Sequence, residues 1–138
     1  MKKYLLLTQL VLVLALSLTS CSSTSNTASQ TLDVTLTDFA FTPNSFIVPA
    51  GQSIAFTAAN NGATVHSFMI MKKGVQLQGH FADTDRANVF WGTDQLLPGQ
   101  TINATFVAPS DPGEYQIVCA VSGHLEAGML ATLIVTKP

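Results

Sequence analysis

The sequence predicts an all-β fold, a two-layer β-sandwich of about seven to eight short strands. Apolar and polar residues alternate in short runs, the breaks between runs are rich in Gly, Pro, Asn and Asp, and no stretch has a convincing helical period. About 108 residues follow the polar segment that ends at Gln30. That length is enough for one two-layer core and leaves no room for a second domain.

The first strand is predicted over residues 31–38, where Leu32, Val34 and Leu36 fall on one face because strand side chains alternate. The sequence Pro49-Ala-Gly-Gln52 predicts a turn, and further turns are predicted at 60–62 and 109–113. The remaining strands are predicted over residues 46–48, 53–59, 64–71, 101–108, 114–119 and 130–136.

Residues 72–100 form a long excursion between two predicted strands, and connections of this length usually have a function or some structure of their own. One helical turn is predicted over 83–89. Phe90 and Trp91 are expected to pack against the sandwich, because aromatic side chains are usually buried. His80 is expected to be a solvated loop residue.

The N-terminus predicts export. Lys2 and Lys3 precede an apolar stretch over 4–18, which is short for a membrane span and typical of a signal segment. The sequence Leu18-Thr-Ser-Cys21 resembles a bacterial lipobox, so residues 1–20 are interpreted as a lipoprotein-type signal peptide and Cys21 as the lipidated residue. Residues 21–30 then form a polar tether and 31–138 the folded domain. An ordinary signal peptide or an uncleaved N-terminal helix are the alternatives. We expect a lipid-anchored protein on the periplasmic or extracellular face of a membrane.

The charge balance argues against a nucleic-acid partner. Of the six Lys and Arg residues, Lys2 and Lys3 lie in the signal segment, which leaves four against eight acidic residues and a net charge of −4. Phosphate binding needs a basic face. If Cys21 is lipidated, Cys119 is the one thiol left in an exported domain, where an unpaired thiol needs an explanation.

One loop near the C-terminus carries Cys119, His124 and Met129, and His66 lies upstream on a predicted strand. Two imidazoles, a thiolate and a weak axial thioether are the ligands of blue-copper electron-transfer sites. Each residue alone is more often part of a core than a metal ligand. Together they predict one type 1 copper ion bound by His66, Cys119 and His124, with Met129 as axial ligand.

These residues sit in segments that resemble the cupredoxin family, especially its plastocyanin, azurin and auracyanin group. The resemblance covers residues 31–138 outside the excursion and rests on 113–119 with the Gly-His and Gly-Met pairs that follow, and on 41–43, 48–51 and 60–62. It implies a Greek-key sandwich and a monomeric electron carrier. Its partners would be redox proteins, such as a c-type cytochrome, a quinol-oxidising complex or an oxidase, docking near His124.

The resemblance also implies an apolar docking patch around the solvent-facing edge of His124. Its candidates are Val121, Leu125 and Ala127, with Pro49 or Ala50 adjoining. One departure from the family pattern stands next to the first ligand, where Asn or Asp is common and this chain has Ser67. Serine can still form a hydrogen bond there, and such bonds tune a metal site.

Three other functions compete with electron transfer. A copper enzyme needs a second metal site, and His80 is the one histidine left over, so no enzymatic activity is predicted. A periplasmic copper storage or delivery protein is the main alternative, although Met69 and Met71 fit strand packing better than copper handling. A metal-free sandwich used for adhesion or scaffolding is the third.

Overall fold

The computed structural model describes residues 27–137, and the predicted signal peptide and the lipidation site at Cys21 lie outside them. Nine strands and one short 3₁₀ helix are present in this part: β1 Thr31–Thr37, β2 Ala40–Thr42, β3 Ser45–Pro49, β4 Ser53–Asn60, β5 Met69–Met71, the 3₁₀ helix Asp83–Asn88, β6 Val89–Gly92, β7 Thr101–Val107, β8 Gly113–Val118 and β9 Leu130–Thr136. No helix among these residues is long and apolar enough to cross a membrane.

The strands form two facing sheets, which confirms the predicted β-sandwich. The four-stranded sheet has the order β2-β1-β4-β7, and the five-stranded sheet has the order β3-β9-β8-β5-β6. Hydrogen bonding begins before β1, since the Ser29 N–H donates to the Ile47 carbonyl and the Gln30 carbonyl accepts from Ala55. Ser29 and Gln30, which the sequence assigns to the tether, are therefore hydrogen-bonded to the sandwich.

The core lies between the sheets and is centred on Phe68, which is fully buried. Its ring contacts Phe41 and Phe56 from one sheet and Phe46 from the other, at centroid distances of 5.4, 5.0 and 6.1 Å. The predicted inward face of β1 is confirmed, because Leu32, Val34 and Leu36 are all buried in this core. The aromatic cluster holds both sheets immediately behind the candidate site.

The excursion over residues 72–100 covers the outer face of the five-stranded sheet. Met69 and Met71 alternate with the core residue Ile70 and point into a second apolar cluster, which the excursion supplies with Val75, Leu77, Phe81 and Val89. The Gln116 side chain fixes this segment by bonding the N–H and carbonyl of Leu77 at 2.7 and 3.0 Å. The packing role predicted for the two methionines is confirmed.

Within the excursion, the predicted helical turn is confirmed as the 3₁₀ helix, but the shared packing of Phe90 and Trp91 is wrong. Trp91 stacks on Phe106 at 4.5 Å and contacts Phe56, whereas Phe90 is 40% exposed. Both residues lie in β6, an edge strand that the sequence pattern did not reveal. Neighbouring residues of a strand point to opposite faces, so only one of the two rings can reach the core.

Candidate metal centre

His66 lies on the link between β4 and β5 and is held to a distant segment by its backbone. Its N–H donates to the Leu96 carbonyl at 3.1 Å, and its carbonyl accepts from the Leu96 N–H at 2.7 Å. The predicted strand over 64–71 is therefore only partly formed, since a regular ladder exists only from Met69 to Met71. Residue 66 instead forms an isolated antiparallel bridge with Leu96, which lies beyond the end of β6 at Gly92.

Cys119, His124 and Met129 lie on the loop between β8 and β9, as predicted. Cys119 follows the last residue of β8, and Met129 precedes the first residue of β9. The loop closes on itself, since the Met129 N–H donates to the His124 carbonyl at 2.9 Å and the Cys119 N–H donates to the Met129 carbonyl at 3.3 Å. Gly123 and Gly128 adopt φ values of 83° and 90°, which favour glycine and allow these tight turns.

The fold brings three of the four predicted ligands into one cluster. His66 Nδ1 and His124 Nδ1 are 3.1 Å apart, and Cys119 Sγ is 3.4 Å from His124 Nδ1. Ligand atoms of all three residues lie within 4.8 Å of one another. Two ligand atoms on one ion, with zinc distances of about 2.0–2.1 Å to nitrogen and 2.3 Å to sulfur, lie roughly 3–4 Å apart. The cluster therefore fits a single small metal ion.

The donor set and its burial suit copper. His66 and Cys119 are fully buried and His124 is 7% exposed, so the protein matrix shields the cluster from water. Two imidazoles and one thiolate form the trigonal donor set of a type 1 copper site. Within the described part of the chain, this is the one group of three or more His, Cys, Asp or Glu residues that could hold a metal ion.

Met129 is fully buried beside this cluster, and its backbone bonds to both Cys119 and His124. Its assignment as the axial ligand stays a prediction.

Ser67 links the two segments that carry the ligands. Its N–H donates to Cys119 Sγ at 3.4 Å, and its hydroxyl oxygen accepts from the Ala120 N–H at 2.9 Å. A serine after the first histidine thus joins the two ligand segments by hydrogen bonds, as expected from its chemistry.

Two residues next to the cluster are not among the residues that the sequence predicts for the site. Asp38 Oδ1 lies 2.8 Å from Nε2 of His66, and the Phe39 ring meets the His124 ring edge-on at 4.8 Å between centroids. Both lie on the turn between β1 and β2, which carries no sequence motif. Phe39 stands out only in the structure, as a large apolar side chain that stays 42% exposed.

The electrostatics of the site depend on burial and on this carboxylate. Burial lowers the pKa of His124, and the neighbouring His66 lowers it further. The pKa of Asp38 is lowered to about 2, chiefly by the hydrogen bond from the Ala63 N–H. At neutral pH an ionised Asp38 therefore lies next to the cluster, and the His124 imidazole within the cluster resists protonation.

The predicted surroundings of His124 need correction. Leu125 is only 5% exposed and packs into the second apolar cluster, whereas Val121 is half-buried and Ala127 is exposed. Pro49 and Ala50 lie at the opposite end of the sandwich, because β3 runs parallel to β9 and Ala50 bonds to Thr136 at the far end of β9. Six residues of strand, roughly 20 Å, separate that end from the ligand loop.

His80 is exposed on the excursion, as expected.

The sequence matches the cupredoxin-like domain family over residues 10–135. The chain is a cupredoxin. The predicted family and its blue-copper character are thereby confirmed. Cupredoxins bind one type 1 copper ion, and His66, Cys119 and His124 form the candidate site for it.

Individual relatives agree with this assignment. The cupredoxin is 32% identical over 98 residues to plastocyanin of Sambucus nigra, covering 70% of this chain and 87% of the relative. It is 26% identical over 114 residues to the copper-resistant cuproprotein CopI of Rubrivivax gelatinosus, covering 78% and 67% of the two chains. Among solved structures, auracyanin of Roseiflexus castenholzii matches with a TM-score of 0.70 and 29% identity, covering 80% of this chain and all of that one.

Proposed function

We propose that this cupredoxin carries single electrons between redox partners through one copper ion held by His66, Cys119 and His124, with Met129 as axial ligand. The observation that carries the proposal is the buried cluster of two imidazoles and one cysteine sulfur. Bound copper supplies the one-electron Cu(I)/Cu(II) couple. The chain supplies a donor set suited to both oxidation states and excludes water from it.

The ligands are fixed by elements that do not have to move during electron transfer. His66 is held by two backbone bonds to Leu96, and the ligand loop is closed between β8 and β9. Ser67 connects the two through its contacts with Cys119 and Ala120. A site held this way changes little when its metal changes charge, which favours fast transfer.

His124 is the proposed route for electrons, because it is the least buried of the three clustered ligands. Phe39 at 42% exposure, Ala127 and Val121 provide an apolar surface around it. Small apolar surfaces suit the brief encounters of redox proteins, which use small interfaces. We propose that a c-type cytochrome, a quinol-oxidising complex or an oxidase docks there on a monomeric carrier, and that nucleic acid is no partner.

The visible absorption spectrum of the purified protein with Cu(II) tests the copper site. An intense thiolate-to-copper band should appear, bleach with ascorbate and return with a mild oxidant. Cys119→Ser and His66→Gln should abolish it, whereas His80→Gln, which changes an exposed histidine, should leave it intact. A folded protein with reduced Cys119 and no such band would overturn the proposal.

Copper storage or delivery is the second candidate, and the observation that favours it is the similarity to a copper-resistant cuproprotein. Release of copper to a chelator separates the two functions. An electron carrier should keep its copper through repeated cycles of reduction and oxidation in the presence of a competing chelator. Rapid loss of Cu(I) under those conditions would favour delivery.

We further propose that the cupredoxin is exported and anchored to a membrane by lipid on Cys21, on the periplasmic or extracellular side. The support is the charged and apolar N-terminal segment and the lipobox-like residues 18–21. Mass spectrometry of the mature protein should show residues 1–20 removed and Cys21 carrying diacylglycerol. A Cys21→Ser protein that still enters the detergent phase would contradict the anchor.

A further inference from the structure

We propose that Asp38 is a positioning residue for the first copper ligand: its carboxylate accepts the Nε2–H of His66 and holds the ring so that Nδ1 faces the other ligands. This inference deepens the proposed function and rests on it for the identity of the metal. The placement of the ring itself is a property of the chain and can be tested without any metal.

The contacts of His66 define the required tautomer. Nε2 lies 2.8 Å from Asp38 Oδ1, while Nδ1 lies 3.1 Å from Nδ1 of His124. A neutral imidazole carries one ring hydrogen, so donating it from Nε2 leaves the lone pair on Nδ1 free to bind a metal. Metal-binding histidines commonly donate their second N–H to a carboxylate or carbonyl, which fixes both the tautomer and the orientation.

Asp38 is itself held in place by three further donors. The Ala63 N–H donates to Oδ2 at 2.8 Å, and Thr64 donates to Oδ1 from its hydroxyl at 2.9 Å and from its N–H at 3.3 Å. A carboxylate fixed by these bonds can direct a ring that is completely buried. The side chain of Asp38 is 28% exposed, so only the histidine end of the pair lies inside the protein.

Gly62 supports the contact independently, because Asp38 and His66 occupy the space that a side chain at position 62 would fill. A Cβ atom at this position would lie 2.5 Å from Asp38 Oδ1 and 2.7 Å from His66 Nε2, closer than real Cβ contacts. Asn60 holds the glycine there, since its Oδ1 accepts the Gly62 N–H at 2.9 Å and its amide donates to the Thr64 and Leu96 carbonyls. Any larger residue at position 62 would press directly on the Asp38–His66 contact.

The charge of Asp38 also has a predictable effect on bound copper. A carboxylate one imidazole away from the ion interacts more favourably with Cu(II) than with Cu(I), because the oxidised ion carries the larger positive charge. Removing that charge should therefore raise the reduction potential. A purely structural role in the β1–β2 turn would not produce this shift.

Three variants test the inference. Asp38→Asn removes the carboxylate that contacts His66, and Asp33→Asn removes an equal charge from an exposed position on β1. We expect Asp38→Asn to lower Cu(II) affinity by about 10–100-fold and to raise the reduction potential, with little change in Asp33→Asn. Gly62→Ala keeps the charge but displaces the pair, so it should lower affinity as Asp38→Asn does. Equal affinities and potentials in Asp38→Asn, Asp33→Asn and the unsubstituted protein would overturn the proposal.

Nitrogen NMR of the unsubstituted, metal-free protein provides a readout that depends on neither copper nor folding of a variant. We expect His66 to be the Nε2–H tautomer with slow exchange of that hydrogen. An Nδ1–H tautomer, or rapid exchange at Nε2, would overturn the role of Asp38 even if the protein forms a blue site. The expected tautomer in a protein that never forms the visible band would instead refute the proposed function and leave the role of Asp38 standing.

Discussion

Ser67→Ala tests whether the serine after the first ligand stabilises the protein by joining its two ligand segments. Ser67 is 1% exposed, and its hydroxyl oxygen accepts the Ala120 N–H at 2.9 Å. Alanine removes the acceptor and leaves that N–H without its partner, which costs about 1–3 kcal/mol when the group is buried. Because Ala120 is only half-buried, water can partly replace the oxygen, so we expect a loss of about 1–2 kcal/mol.

The assay is thermal and urea unfolding of the metal-free protein. For a domain of this size, about 1–2 kcal/mol corresponds to a fall in Tm of roughly 4–9 °C. Ser45→Ala on β3 is the matched control, since Ser45 is exposed. The copper colour should persist in Ser67→Ala, because the backbone N–H of residue 67 still reaches Cys119 Sγ. A Tm within experimental error of the Ser45→Ala control would refute the reasoning.

Three further outcomes are expected. Phe68→Ala should destabilise the protein by about 3–5 kcal/mol in urea unfolding, because the fully buried ring contacts aromatic residues of both sheets; a loss below 1 kcal/mol, roughly that of a surface change, would contradict the central position of Phe68. Phe39→Ala should speed oxidation of the reduced protein by ferricyanide at a stability cost of about 1 kcal/mol, because the ring covers the edge of His124; an unchanged rate would show that it does not shield the ligand. As the pH is lowered below about 6.5, the usual pKa of an unfolded histidine, the free energy of unfolding of the metal-free protein should decrease until the pH reaches the lowered pKa of folded His124. Over that range the unfolded chain binds more protons than the folded protein. His124→Gln should flatten this dependence, and an equally steep curve would contradict it.

Much of the fold could be predicted because alternation of apolar residues is a local property. The inward face of β1 follows directly from Leu32, Val34 and Leu36, and β7 and β9 follow from similar patterns. The short strands β2 and β6 could not be found this way, since each is three or four residues long and is defined by the strand it pairs with. For the same reason the opposite environments of Phe90 and Trp91 follow only from the pairing of β6 with β5.

The candidate site likewise combines residues whose local spacing the sequence shows with a residue that only the fold brings close. Cys119, His124 and Met129 lie within eleven residues on one loop, so their spacing carries information that a single sequence can show. Asp38 is 28 residues from His66 and reaches it only because the β1–β2 turn meets the segment around Gly62. The predicted position of Pro49 and Ala50 beside His124 is wrong for the same reason, because the direction of β3 relative to β9 is a long-range property.

The distribution of burial among the ligands bears on the choice between electron transfer and copper delivery. Release of the ion would require Cys119 and His66 to open, and both are fully buried and held by bonds to separate segments. Passage of an electron requires no such opening, since His124 reaches the surface at 7% exposure beside Phe39. Opening a buried, hydrogen-bonded site costs free energy each time, whereas a fixed site with one exposed ligand edge can be used repeatedly. The geometry therefore favours a protein that keeps its copper and exchanges electrons.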